Sequence, residues 1–132
     1  MELQNYINSH PNYISEFKNL GFKINSFKKL KIVSYPYDKK PTYNDENDLW
    51  KLYCRGAVIS PDHKIIALPP IKSLSLNDHS VENTHNQEIL YEHLIDGTMI
   101  NLFYYNDEWI ISTRSEIGGY NKWTHKKSFK NM

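Results

Sequence analysis

The sequence of 132 residues contains one cysteine, Cys54, so no disulfide bond can form within the chain. Structural disulfides belong mainly to oxidising compartments, and their exclusion predicts a reducing compartment such as the cytoplasm. Cys54 stands within an apolar run, where a cysteine is more often a buried structural thiol than a catalytic nucleophile. We therefore expect a structural role for this residue.

Long hydrophobic runs are also missing from the sequence. The longest apolar stretches fall far short of the roughly 20 residues that a membrane-spanning helix requires. The N-terminus carries no continuous apolar segment of the kind that marks a signal peptide. We expect a soluble, intracellular protein without a membrane partner.

Neither sign of charge predominates, because 16 Lys and Arg stand against 15 Asp and Glu, for a net charge of +1. A chain-wide basic footprint for nucleic acid is therefore missing, and nothing in the sequence is specific for DNA. Two local groups of lysines are compatible either with a solvated face or with contact to phosphate. These groups are Lys23, Lys28, Lys29 and Lys31, and Lys122, Lys126, Lys127 and Lys130.

Motifs for metal and for nucleotide loops are likewise missing. The six histidines do not stand at zinc-ligand spacing with one another or with Cys54. The sequence contains no glycine-rich loop of the Walker type. It therefore predicts no metal site formed by histidine or cysteine.

The length predicts a single domain spanning residues 1–132 and excludes a multidomain enzyme. Hydrophobic residues make up 39% of the chain and aromatic residues 14%, enough for a core. Residues 1–20 show helical periodicity, interrupted at Ser9–Asn12, and Gly21 is a plausible helix stop. The rest of the chain is dominated by strand patterns, so the predicted fold class is α+β, a short N-terminal helix followed by antiparallel β-hairpins.

The predicted strands are bounded by turn-forming residues. A strand around Leu30–Val33 precedes Pro36, and the segment Leu49–Ser60 reads as one strand that returns as Ile65–Leu68 after a turn. A second hairpin pairs Thr98–Tyr105 with Trp109–Arg114 across a turn at Asn106–Glu108. In this hairpin we expect Phe103 and Trp109 to lie in the core. The alternative is that Trp109, Tyr104 and Tyr105 stack on nucleic-acid bases from an exposed face of the sheet.

Five short segments occur in an order that carries more information than any one of them. They comprise an aromatic segment, an Arg-Gly strand, a proline-to-lysine segment, an Asp-Gly strand start and a basic hairpin end. In chain order these are Ile32-Val33-Ser34-Tyr35, Cys54-Arg55-Gly56-Ala57-Val58-Ile59, Pro70-Ile71-Lys72-Ser73, Asp96-Gly97-Thr98-Met99-Ile100 and Ser112-Thr113-Arg114-Ser115. The arrangement resembles the nucleotidyltransferase domain of RNA ligases of the T4 RNA ligase 1 type, within the ligase and capping-enzyme superfamily.

The resemblance covers about Lys31 to Gly119 and implies the N-terminal half of an adenylation domain that uses ATP and Mg²⁺. In the family a lysine in the motif K-x-D-G attacks the α-phosphate of ATP. The matching residue here is Leu94, which has no nucleophilic atom. The later motifs of the family, which hold metal, base and triphosphate, have no counterpart after Gly119. We therefore expect no catalytic residue and no adenylation by this chain.

The resemblance implies a set of residues that contact nucleotide or phosphate, namely Arg55, Lys72, Asp96, Gly97, Thr98 and Arg114, with Tyr35 as a possible aromatic contact. Three of these residues have an ordinary structural alternative. Arg55 can pair with an acidic neighbour, Asp96 can cap a turn, and Thr98 can be a simple strand residue. Arg55 and Arg114 are the only two arginines in the chain, and both fall in family-like segments. That coincidence favours a retained anion site.

Three functions remain open at this point. The first is a catalytically degenerate RNA-ligase-like domain that binds ATP or RNA phosphate. The second is a piece of an active ATP-dependent RNA ligase completed by another chain or segment. The third is a protein-interaction module without ligand binding. The resemblance, together with abundant Asn, Lys, Ile and Tyr, makes a viral protein in a host cytoplasm an expectation.

Overall fold

The computed structural model describes residues 1–36, 46–71, 93, 97–120 and 127–131. These residues form two α-helices, six strands and two 3-10 helices, which confirms the predicted α+β class. The helices are α1 (Glu2–Ser9) and α2 (Tyr13–Asn19), and the 3-10 helices span Glu46–Tyr53 and Phe129–Asn131. The strands are β1 (Lys23–Phe27), β2 (Leu30–Ser34), β3 (Arg55–Ile59), β4 (Ile65–Ala67), β5 (Asn101–Tyr105) and β6 (Glu108–Ser112).

The N-terminal helical region is interrupted where the sequence predicts. Helix α1 ends at Ser9, and α2 begins at Tyr13 after the proline-containing break. Gly21 follows α2 with φ +85°, and the amide of Phe22 donates to the carbonyl of Phe17 at 2.9 Å. This six-to-one hydrogen bond satisfies a carbonyl at the helix end, and the positive φ explains the glycine.

Strands β1 to β4 form an antiparallel sheet in the order β1-β2-β3-β4, and its central strands are buried on both faces. One face carries Val33, Ala57 and Ile59, on which the helices pack. This helix-side core is completed by residues from the helices, from the 3-10 helix and from the segments between them: Leu3, Ile7, Tyr13, Phe17, Phe22, Tyr35, Trp50 and Cys54. Side chains alternate along a strand, so the neighbouring residues point to the other face.

The second face is covered by the hairpin of β5 and β6. Leu30, Ile32 and Val58 of the large sheet pack against buried residues of the hairpin and of the segment that follows it, Phe103, Ile110 and Ile117. We call this group the hairpin-side core. The described part of the chain therefore has three layers: helices, a four-stranded sheet and a two-stranded hairpin.

Two parts of the sheet differ from the sequence prediction. Strand β1 pairs with β2 across a two-residue turn of Lys28 and Lys29, whose φ angles of +47° and +70° are unusual for lysine. Without glycine or asparagine, this turn carried no sequence signal for a hairpin. The prediction of one strand over Leu49–Ser60 is wrong, because its first part forms the 3-10 helix. There Trp50 stacks between Tyr6 and Phe17, with ring centroids 4.0 and 5.1 Å away.

The hairpins themselves are confirmed, with narrower bounds than predicted. Strand β4 follows the turn after Pro61, and β5 and β6 pair in register around Asn106 and Asp107. Phe103 is buried as expected, but the core position favoured for Trp109 is wrong, since this side chain is 67% exposed. None of the helices in the described part of the chain is long and apolar enough to cross a membrane.

Candidate functional site

Five of the residues singled out from the sequence fall within the described ranges: Tyr35, Arg55, Gly97, Thr98 and Arg114. Lys72, Asp96 and Leu94 lie outside the described residues. The geometry of the candidate site therefore rests on the two arginine segments and on what surrounds them.

A β-bulge at Gly56 determines which face of the sheet Arg55 joins. Val33 pairs with Ala57, but the next residue, Ser34, pairs with Arg55, so Gly56 is an extra residue in β3. Ser34 stands two residues after Ile32 of the hairpin-side core, so both residues are on the hairpin face of the sheet. Arg55, the partner of Ser34, is on that face too. Regular alternation would have put Arg55 with Ala57, on the helix side. The bulge thus turns the arginine towards the hairpin.

Gly56 also brings the second arginine segment close. A Cβ atom at Gly56 would stand 3.0 Å from the carbonyl oxygen of Arg114 and 3.2 Å from its Cα. Gly56 has φ +116°, a conformation that side-chain-bearing residues rarely adopt. Only glycine combines this backbone angle with such a close approach. The backbones that carry Arg55 and Arg114 are therefore in contact, although the two residues are far apart in sequence.

The segment carrying Arg114 is a tight turn held from two sides. The amide of Thr113 donates to the carbonyl of Glu116 at 2.8 Å, which closes the turn. The side-chain amide of Asn25 in β1 donates to the carbonyl of Ser115 at 2.8 Å. The Arg114 backbone is consequently fixed by hydrogen bonds to its own turn and to β1, and by its packing against Gly56.

Both arginine side chains are half-buried. Among the residues that the structure describes, the Arg55 guanidinium has no hydrogen-bond or ion-pair partner. The acidic neighbour considered from the sequence is therefore not found within those residues. A half-buried guanidinium retains much of its attraction for an anion, since solvent screens it less than it screens a fully exposed charge.

Two further polar residues lie at the same end of the hairpin. Asn101 begins β5 and is the direct partner of Ser112, which ends β6 two residues before Arg114. Ser112 is fully buried, and Asn101 is partly buried. The sequence analysis assigned no contact to either residue, although both are in phase with the buried positions Phe103 and Ile110. A polar residue at an inward-facing position of an alternating strand is a signal that can be read from the sequence.

The other described residues that the sequence predicts to contact a nucleotide are Gly97, Thr98 and Tyr35. Gly97 and Thr98 are exposed and precede β5, at the same end of the hairpin as Arg114, since β5 begins where β6 ends. Tyr35 lies on the opposite face of the sheet from Arg55 and is buried in the helix-side core beside Phe22. The sheet therefore separates Tyr35 from the two arginine segments.

Cys54 is buried, as expected from its apolar surroundings. Burial raises the pKa of its thiol, which disfavours the nucleophilic thiolate. Within the described ranges, no three His, Cys, Asp or Glu residues come together as a potential metal site.

The outer face of the β5–β6 hairpin is a separate surface. Leu102, Tyr104 and Trp109 are 61%, 57% and 67% exposed, and the last two rings meet edge-on at 5.4 Å. Tyr105, which points the other way, packs on the hairpin-side core. We refer to Leu102, Tyr104 and Trp109 as the outer hairpin face.

Comparisons of the chain with protein-family models, with curated proteins and with solved structures found no match. The resemblance to RNA ligases stays a prediction from the sequence. The function is therefore inferred from the contact between the two arginine segments.

The close approach at Gly56 makes a specific prediction about stability. We expect Gly56→Ala to lower the free energy of unfolding by about 2–4 kcal/mol, from the positive φ and the clash with the Arg114 backbone together. Gly21→Ala is the matched control, since Gly21 also has a positive φ but a Cβ atom there would meet nothing within 4 Å. Its cost should be about 1–2 kcal/mol. Equal losses in urea unfolding of the two variants would contradict the close approach.

Proposed function

We propose that this chain binds a phosphate group of a nucleotide or of RNA between Arg55 and Arg114 and does not catalyse nucleotidyl transfer. The observation that carries the proposal is the contact of Gly56 with the Arg114 backbone. It joins the two arginine-bearing segments, and the bulge at Gly56 turns Arg55 to the face on which the Arg114 turn lies. These are the only arginines of the chain.

The chemistry of the guanidinium group supports a phosphate ligand. Its planar array of N–H donors matches two oxygens of a phosphate at once, and these charge-assisted hydrogen bonds are stronger than neutral ones. The contact at Gly56 places two positively charged residues on neighbouring segments, and together they attract an anion more strongly than either charge alone. A bound phosphate would accept hydrogen bonds from Arg55.

The sequence resemblance suggests which phosphates to test. RNA ligases of this type bind ATP with Mg²⁺ and act on RNA, so ATP and RNA are the first ligands to try. The same resemblance supports the lack of catalysis, because Leu94 occupies the position of the nucleophilic lysine. We therefore propose a catalytically degenerate, RNA-ligase-like domain that retains a phosphate site.

Binding of ATP should depend on both arginines. We expect ATP in hundredfold excess over its Kd to stabilise the wild-type chain by about 2.7 kcal/mol, measured as a rise in Tm. Replacing Arg55 or Arg114 with glutamine should weaken ATP binding about tenfold or more, the effect of losing hydrogen bonds from a charged donor. Isothermal titration calorimetry gives the Kd directly.

The control for this experiment is Lys64→Gln. Lys64 lies just before β4, beyond the opposite end of β3 from Arg55, and its ion pair with Asp62 is exposed. This variant removes one positive charge and should leave the Kd for ATP unchanged. A loss of affinity equal to that of the arginine variants would show that only overall charge matters. No binding of ATP or RNA by the wild-type chain would refute the proposal.

A covalent intermediate should not form on the wild-type chain. After incubation with Mg²⁺ and ATP radiolabelled at its α-phosphate, we expect no label on the denatured protein, because Leu94 has no atom that can attack phosphorus. A labelled wild-type band would contradict the proposed lack of catalysis. Labelling of a Leu94→Lys variant alone would instead favour descent from an active ligase and the interpretation as a piece of one.

A second candidate function, protein interaction, is favoured by the outer hairpin face. Its Leu102, Tyr104 and Trp109 expose an apolar surface next to one another on adjacent strands. Tyr and Trp are enriched at protein interfaces, and contiguous exposed apolar groups mark such interfaces more often than isolated ones do. A role of this kind does not require the arginine site.

A second copy of the chain is the simplest protein partner to test. If the outer hairpin face mediates association, wild-type protein should show concentration-dependent sedimentation, and Trp109→Ser should shift it towards monomer. Leu20→Ser is the control, since Leu20 is also exposed but follows α2 on the helix side. Equal sedimentation of wild type and Trp109→Ser at all concentrations would exclude self-association through this face.

A further inference from the structure

We propose that Asn101 and Ser112 supply two further hydrogen-bond donors to the phosphate, so that the site has four donor side chains rather than two. This inference rests on the proposed function and assigns additional ligand contacts within the same site. It comes from two buried polar atoms that the described part of the fold does not satisfy.

The Ser112 side chain is fully buried, with 0% of its surface exposed. Its Oγ and the Nδ2 of Asn101 are both buried and have no hydrogen-bond partner among the described residues. The two residues are direct partners across β5 and β6, yet these atoms do not bond to each other. Buried polar atoms in folded proteins are nearly always hydrogen-bonded, so two adjacent exceptions indicate a missing partner.

The location of these atoms points to the arginine site. Asn101 and Ser112 are on the inward face of the hairpin, in phase with Phe103 and Ile110 of the hairpin-side core. Ser112 is two residues from Arg114, whose backbone touches Gly56. Arg55 is on the face of the large sheet that the hairpin covers. The two unsatisfied donors and the two arginine-bearing segments therefore lie near one another, at the end of the hairpin where β6 ends.

The chemistry of the four groups selects the kind of ligand. Two guanidinium groups and an amide nitrogen can only donate hydrogen bonds, and the serine hydroxyl can donate as well. One water molecule accepts about two hydrogen bonds, which is too few for the Arg55 guanidinium, the Asn101 Nδ2 and the Ser112 Oγ together. A phosphate group offers several strong acceptor oxygens for these donors, and its negative charge is attracted by both arginines. The shared ligand is a phosphate oxyanion, carried by a nucleotide or by RNA.

The experiment compares two buried serines that differ in their partners. Ser112→Ala removes a hydroxyl without a partner among the described residues, and Asn101→Leu removes the neighbouring amide while keeping the number and connectivity of side-chain non-hydrogen atoms. Ser60→Ala is the matched control, because Ser60 is equally buried but its hydroxyl bonds to Asp62 and to the carbonyl of Lys64. For each full-length variant, Tm is measured without ligand, and the Kd is measured for ATP, AMP, inorganic phosphate and a short oligouridylate.

We expect Ser112→Ala to raise Tm without ligand, because it removes an unsatisfied buried group, and to raise the Kd for ATP about fivefold to tenfold. Asn101→Leu should raise the Kd similarly. Ser60→Ala should lower Tm and leave the Kd unchanged. If AMP and inorganic phosphate compete with ATP, the nucleotide phosphate occupies the site; if only the oligouridylate responds to these variants, the phosphate belongs to RNA.

Two kinds of failure can be told apart. If the wild-type chain binds none of the four probes, the proposed function is refuted, and this inference falls with it. If the wild-type chain binds ATP and Arg114→Gln weakens binding while Ser112→Ala and Asn101→Leu do not, only the present inference is wrong. A fall in Tm for Ser112→Ala without ligand would also overturn it, since the hydroxyl would then have a partner within the fold.

Discussion

The burial of β2 and β3 on both faces is the constraint on which the rest of this structure depends. Val33, Ala57 and Ile59 hold the helices on one side, and Leu30, Ile32 and Val58 hold the hairpin on the other. A two-stranded hairpin such as β5–β6 is marginally stable in water by itself and requires such a surface to pack on. The central strands therefore determine where the hairpin ends, and with it where Arg114 lies.

The bulge at Gly56 is the irregularity in this central pair that bears on function. A regular β3 would have carried Arg55 to the helix side, where the core is aromatic and apolar. Burying a charge there without a partner is costly, because the interior solvates ions poorly. The extra residue transfers Arg55 to the hairpin side, and the absence of a Cβ admits the Arg114 backbone. One glycine thus accounts for both the direction of Arg55 and the proximity of the second arginine segment.

The side chains assigned to the proposed site are suited to holding a phosphate. These side chains, Arg55, Arg114, Asn101 and Ser112, can hold and orient a phosphate by donating hydrogen bonds. Phosphoryl transfer needs a nucleophile and compensation of charge in addition to positioning. In the proposed site, the four side chains would supply the positioning and part of the charge.

The sequence by itself determined the elements whose signals are local. The helix break at Ser9–Asn12, the hairpin around Asn106 and the burial of Phe103 follow from proline, turn residues and alternation, which act over a few neighbouring positions. The two arginines also stood out by their rarity. Only the tertiary structure decided that Trp50 turns out of a strand to stack on the helices, that Trp109 faces solvent, and that the arginine segments touch. These outcomes depend on partners distant in the chain, which no local pattern specifies.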